Sequence, residues 1–157
     1  MVNEMFVSFS VKNIGPFKQE TGITTSVETA KKEHWEENTF QLAGNNYNKI
    51  TYIYGANGSG KTNYFVALTK LQKTVIMSTV LGVNNNKLLE VPAIKKELSA
   101  PIETFKFDDM SKSKETEFKV ELVIDGILYT YSFAILDGKI QNEFLSKKNK
   151  RTEILLK

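Results

Sequence analysis

The residues with the plainest chemistry are Gly55, Ala56, Asn57, Gly58, Ser59, Gly60, Lys61 and Thr62, which follow the apolar run Ile50-Thr51-Tyr52-Ile53-Tyr54. Their spacing fits G-x-x-x-x-G-K-[ST], the phosphate-binding P-loop. Glycines at those positions let the backbone curl so that successive N–H groups point inward at an anion. A lysine in the seventh position reaches β- and γ-phosphates, and the hydroxyl after it ligates Mg²⁺. A helix that starts at the end of the loop adds its positive dipole end to the same point. The chemistry this pattern supports is the binding of ATP with Mg²⁺, through Lys61 and through Thr62 as metal ligand.

Such a loop needs a strand before it and a helix behind it. Lys49–Tyr54 is expected as the strand. Behind Thr62, Phe65, Leu68, Leu71 and Val75 recur at spacings of three and four, which predicts a helix ending between Ser78 and Gly82 with those four facing the core. Met5–Val11 alternates apolar and small polar residues and reads as a strand. Asn13-Ile14-Gly15-Pro16 reads as a turn in which Pro16 keeps Gly15 out of the right-handed helical region. Gly22–Val27 is rich in β-branched residues and reads as the returning strand. Ala30–Asn38 is a helical turn or a loop, Thr39–Leu42 a short strand, and Gly44–Asn48 a turn cluster. Asn84–Pro101 is polar without a period, a long connection with a short helix at Ala93–Leu98. Glu117–Ile124, Ile127–Leu136, Lys139–Leu145 and Arg151–Leu156 read as a meander. Asp125-Gly126 and Asp137-Gly138 supply its tight turns, and Lys147–Lys150 a third.

The fold class is therefore α/β (α+β): a P-loop strand–loop–helix unit flanked by antiparallel hairpins. Its organisation is an N-terminal β segment over 1–48, the P-loop strand and helix over 49–82, a connection over 83–101 and the meander over 102–157. A doubly wound P-loop core needs further parallel strands with crossover helices. The expectation is therefore that this chain is the N-terminal part of a larger ATPase.

Composition narrows the class. Of 157 residues, 41% are hydrophobic and 25% charged, as in an ordinary globular domain. A net charge of +3 is too small to argue for nucleic acid by itself. With no cysteine and the single histidine His34, disulfide frameworks, cysteine nucleophiles and multi-histidine metal sites within this chain are excluded. No apolar run reaches membrane-span length and no signal-peptide pattern opens the chain, so a cytoplasmic protein is the expectation.

The order of parts resembles the ABC-class ATPases of the SMC, RecF and overcoming-lysogenization-defect type, which usually carry G-x-N-G-S-G-K-[ST] behind antiparallel strands. Within that class the chain is most similar to the bacterial AAA-family ATP-binding proteins of abortive infection and phage defence. The resemblance is carried by Phe9-Ser10-Val11-Lys12-Asn13-Ile14-Gly15-Pro16-Phe17 and Ile53-Tyr54-Gly55-Ala56-Asn57-Gly58-Ser59-Gly60-Lys61-Thr62-Asn63. Tyr129-Thr130-Tyr131-Ser132-Phe133 and Ile140-Gln141-Asn142-Glu143-Phe144-Leu145 add to it. It implies a partial ATPase head, lobe I, that binds ATP and Mg²⁺ through Gly55–Asn63. It also implies adenine near the first hairpin turn, with Lys12 and Asn13 beside the base and α-phosphate. The plainer reading of that pair is a hairpin turn with a solvated lysine. Gln141 takes the place of the glutamine that senses the γ-phosphate through Mg²⁺, against an exposed strand residue as the bland alternative.

The resemblance further implies the remaining half of the head, a homodimer of heads and an effector protein controlled by nucleotide. No apolar run ends in Asp-Glu and there is no Leu-Ser-Gly-Gly segment. This chain alone is thus expected to bind nucleotide without efficient hydrolysis, because phosphoryl transfer needs those groups. A DNA-repair or chromosome-maintenance ATPase and a non-hydrolysing scaffold are the alternatives. His34 beside Trp35 reads as a solvated or capping residue, and Asp108-Asp109 as a polar turn rather than a metal pair. Tyr129, Tyr131 and Phe133 read as core packing or a subdomain interface before base stacking. Lys147–Arg151 reads as a solvated hairpin tip, with phosphate contact as the alternative.

Overall fold

A computed structural model describes residues 4–27, 35–81, 102–149 and 151–157. The strands are β1 (Met5–Lys12), β2 (Thr21–Thr24), β3 (Thr39–Leu42), β4 (Asn45–Asn48), β5 (Thr116–Ile124), β6 (Ile127–Leu136), β7 (Lys139–Lys148) and β8 (Thr152–Leu156). The helices are the single turn α1 (Trp35–Asn38) and the long α2 (Lys61–Leu81). Among the described residues, one sheet of six strands runs in the order β2-β1-β5-β6-β7-β8, and β3 and β4 form a separate pair.

The two β segments that the sequence sets on either side of the P-loop are one sheet. β1 pairs antiparallel with β5, Phe9 opposite Val120 and Val11 opposite Phe118. The side-chain period of two then puts Phe9, Val11, Phe118, Val120, Phe133 and Ile135 on one face, where Tyr64, Ala67 and Leu71 of α2 cover them. Phe9 and Phe118 are fully buried, and each such side chain contributes about 1.5–3 kcal/mol on leaving water. On the other face, β3 and β4 cover one end of the sheet, with Tyr47 packed on Val7 and Val123. The rest of that face is an open groove of about 1030 Å³ lined by residues that include Lys12, Glu117, Lys119 and Gln141.

The meander follows the sequence reading except at its third turn, where β7 runs on through Lys147 and Lys148 instead of ending at Leu145. Asp125-Gly126 and Asp137-Gly138 both have positive φ at both residues, 51° and 74° in the first and 50° and 73° in the second. That is the geometry of the tight hairpin turn whose twist matches its strands. Three further expectations need correction. Asn45–Asn48 is strand β4 rather than turn, because Ala43 and Gly44 alone make the reversal at φ 50° and 75° while Tyr47 is drawn into the core. Lys49–Tyr54 is not a strand: no described strand pairs with it, and Ile50, Tyr52 and Tyr54 are exposed. A run apolar on both faces forms a ladder only between partner strands. Phe65 does not face the core; it is exposed, and Tyr64 takes its place in the buried row with Ala67, Leu68, Leu71 and Val75. His34, the 93–98 helix and all of the 83–101 connection lie outside the described residues.

Candidate phosphate-binding site

The loop Gly55–Gly60 leads straight into α2, whose first residue is Lys61. Gly58 and Gly60 stand at φ 81° and 95°, in the region that side chains avoid. The Ser59 amide donates to the Ala56 carbonyl at 3.2 Å and closes the turn. Lys61 bends back over the loop, its Nζ donating to the carbonyl oxygens of Gly55 at 2.7 Å and Ala56 at 2.8 Å. The loop's own carbonyls thus hold the ammonium at its mouth. The opening amides of α2 have no acceptor within the helix, and the first turn carries no acidic side chain to compete for them. Thr62 and Asn63 are exposed beside them.

Gly60 is the only loop residue that is buried, and its neighbours explain why. A Cβ there would stand 3.1 Å from the Phe17 ring and 3.4 Å from Pro16. The turn after β1 is therefore pressed against the end of the P-loop, and the Phe17 ring meets Tyr64 edge-on at 6.4 Å between centroids. Neighbouring chain fastens this turn from outside. The Gly15 amide donates to Glu103 and its carbonyl accepts from Lys106. Lys18 pairs with Asp108 at 2.7 Å.

Asn13 sits at the root of the same turn. It is buried, at φ 56°, with Nδ2 donating to the carbonyls of Ser111 and Lys114 at 2.9 Å and of Glu115 at 3.2 Å. Its Oδ1 accepts from the Phe105 amide, and its backbone carbonyl from the Thr116 hydroxyl. Lys12 next to it points out of the sheet onto Glu117 at 2.7 Å, and that hydrogen bond pushes it above the ordinary lysine value. Gln141 is exposed on β7, donating to the carbonyls of Lys139 and Leu136. Lys12 and Gln141 share the groove on the face away from α2, and no residue of Gly55–Asn63 lines it.

The other candidates have structural partners. Asp108 starts the short 3-10 helix Asp109–Ser111 by accepting from the Met110 amide, and the Lys18 ammonium holds its carboxyl below the usual range. Asp109 pairs with Lys112. Phe133 stacks on Phe118 at 5.0 Å in the core. Tyr131 donates to Glu143 at 2.6 Å, and burial followed by that carboxylate pushes its hydroxyl pKa well up. Lys147 pairs with Glu153 across β7 and β8.

Sequence reasoning missed Tyr64. Its hydroxyl donates to the Phe9 carbonyl at 2.5 Å and accepts from the Ile23 amide at 3.0 Å. Burial pushes its pKa up to about 12. No local signal marks it, because the apolar run Phe65-Val66-Ala67-Leu68 directly after it offers a second row with the same spacing.

The donor set fits a Mg·triphosphate. It offers helix-opening amides, one ammonium at the loop mouth and one exposed hydroxyl. Among the described residues no cluster of three or more acidic, histidine or cysteine side chains could hold a metal by itself. A Mg²⁺ ion bound through phosphates and one hydroxyl needs none. No helix among the described residues is long and apolar enough to cross a membrane.

The family model described as "AAA domain, putative AbiEii toxin, Type IV TA system" matches residues 50–157. No curated protein and no solved structure matches the chain. The matched region opens at the run before the P-loop and continues through β8, more than half of the chain. It takes in the glycine loop, Lys61 and the helix behind them, and on that match the chain belongs to this AAA-domain family.

Proposed function

We propose that the chain binds Mg·ATP at Gly55–Asn63 and that the bound nucleotide controls a partner in abortive infection. The observation that carries the reading is the placement of Lys61, held at the loop mouth by the Gly55 and Ala56 carbonyls at the start of an unopposed helix. Lys61 would hold the β- and γ-phosphates, the amides of Gly58, Gly60, Lys61 and Thr62 the phosphate oxygens, and Thr62 the Mg²⁺. The Asn13–Phe17 turn, pressed on Gly60, forms the base side. Asn13 serves by shaping the turn. Lys12 is proposed beside the α-phosphate on the family resemblance, and to reach it would have to leave Glu117 and the groove on the face away from α2. Gln141 is proposed on the same resemblance alone, as the residue that would sense Mg²⁺, since its groove holds no residue of the loop. Pairing of two heads around nucleotide, in the cytoplasm, would pass the signal to the effector.

Calorimetry of Mg·ATP binding to the 157-residue chain tests the site, with Lys61→Ala as the control. A lysine–phosphate contact contributes about 1.5–3 kcal/mol, so the variant should bind roughly tenfold to a hundredfold more weakly. Equal binding by both, or binding by neither, refutes the site.

A further inference from the structure

Phe9 and Ile23 stand opposite each other in the β1–β2 ladder. At this pair a side chain of α2 bonds the backbone of both strands. The Ile23 amide donates to the Tyr64 hydroxyl, and that hydroxyl donates to the Phe9 carbonyl. Further along β1, the Thr25 amide donates to the Val7 carbonyl at 2.8 Å. The neighbouring Gly22 approaches β1 so closely that a Cβ would lie 2.9 Å from the same Phe9 oxygen and 2.7 Å from Ser10 Cβ. One oxygen atom of α2 therefore bonds both strands, and it belongs to the first turn of the helix behind the P-loop.

A second contact closes the loop between these parts. The Tyr64 ring meets Phe17 edge-on, and Phe17 packs on Gly60. The ring also lies 5.2 Å from Phe9. A shift of the P-loop end must move either Phe17 or the tyrosine, and the tyrosine cannot move without straining its hydrogen bonds to Phe9 of β1 and Ile23 of β2.

We propose that Tyr64 is a positioning residue that carries changes at the phosphate loop into the β1–β2 hairpin through the hydroxyl that bonds both of its strands. The inference deepens the Mg·ATP reading and rests on it for its ligand. The hairpin becomes the element whose geometry differs between nucleotide states, and so the surface through which a partner would read them.

The test follows the Ile23 amide by nuclear magnetic resonance of the whole chain during Mg·ATP titration, in the native sequence and in Tyr64→Phe. In the native sequence the Ile23 resonance should shift in step with binding. In Tyr64→Phe, Mg·ATP should bind about tenfold more weakly and the Ile23 resonance should stop following it. Native affinity together with an unchanged Ile23 response overturns the proposal. A ring-carbon label on tyrosine reads the same event without any substitution, and a Tyr64 signal unmoved at saturation also overturns it. If the native chain binds no Mg·ATP, the site reading fails separately, and Gly60→Ala then supplies the displacement by pressing a Cβ on Phe17. An effect of Gly60→Ala on Ile23 that disappears when Tyr64→Phe is added supports the tie. An equal effect in both backgrounds overturns it.

Discussion

Replacing Asn13 should damage the chain more than any other single change at the turn, and the structure sets the size of the loss. Its two Nδ2 hydrogens serve three carbonyls, and Oδ1 receives one amide, all within a residue that is 3% exposed. Each good bond contributes about 1 kcal/mol net, and stranding the buried partners adds to the cost. Asn13→Gly keeps the backbone free to hold its positive φ and should cost about 3 kcal/mol through the lost bonds alone. Asn13→Ala must also hold that φ with a Cβ, which costs about 1 kcal/mol further. The order of stability is therefore native, then glycine, then alanine. Urea unfolding of the three proteins measures it from the midpoints, provided the slopes agree. Alanine as stable as glycine would refute the strain argument, and both within about 0.5 kcal/mol of native would refute the clamp.

Alkaline titration offers an independent check on Tyr64. Its folded value lies near 12 against an ordinary 10.0, so its contribution is intact below pH 10 and is lost as pH rises toward the folded value. The loss should approach about 1.4 kcal/mol per pH unit for that one proton, with Tyr131 and Tyr47 acting in the same direction. Tyr64→Phe should flatten the stability profile between those values, and an unchanged profile would count against the buried hydroxyl. Gly126→Ala meets open space but must hold φ 74°, so about 1 kcal/mol of strain should lower the melting temperature by about 2–4 °C.

How far each part could be read in advance depended on the distance over which its cause acts. The P-loop and the Asp-Gly turns are local, since a few residues with defined φ carry the whole signal. Pairing of β1 with β5 joins Met5 to Val123, and no periodicity within either strand names its partner. The helix face was ambiguous for another reason. Tyr64, Phe65, Val66, Ala67 and Leu68 are all nonpolar or aromatic, so two neighbouring stripes fit equally, and the choice fell to a hydroxyl that finds Phe9 and Ile23. Lys49–Tyr54 reads as a strand because its residues suit one, although pairing is a property of neighbours. Asn13 carried a faint signal, as asparagine tolerates positive φ in turns, but the carbonyls it clamps come from residues 111–115.

The β1–β5 pairing also governs the order in which the protein is made. Strands β5 to β8 are consecutive hairpins that can zip soon after synthesis, yet they leave the ribosome after β1, β2 and α2. β1 and β2 must wait until Val123 has been added before the sheet can close over them. Contacts of such long sequence separation slow folding and leave apolar edges open in the interval. Phe9 and Val11 are the side chains left without cover during that wait, because both the α2 row and the β5 row that bury them come later in the chain. The P-loop helix cannot seat on a finished sheet until β5 arrives, so nucleotide competence should not appear before β5 has been made, and then as a single step rather than by degrees.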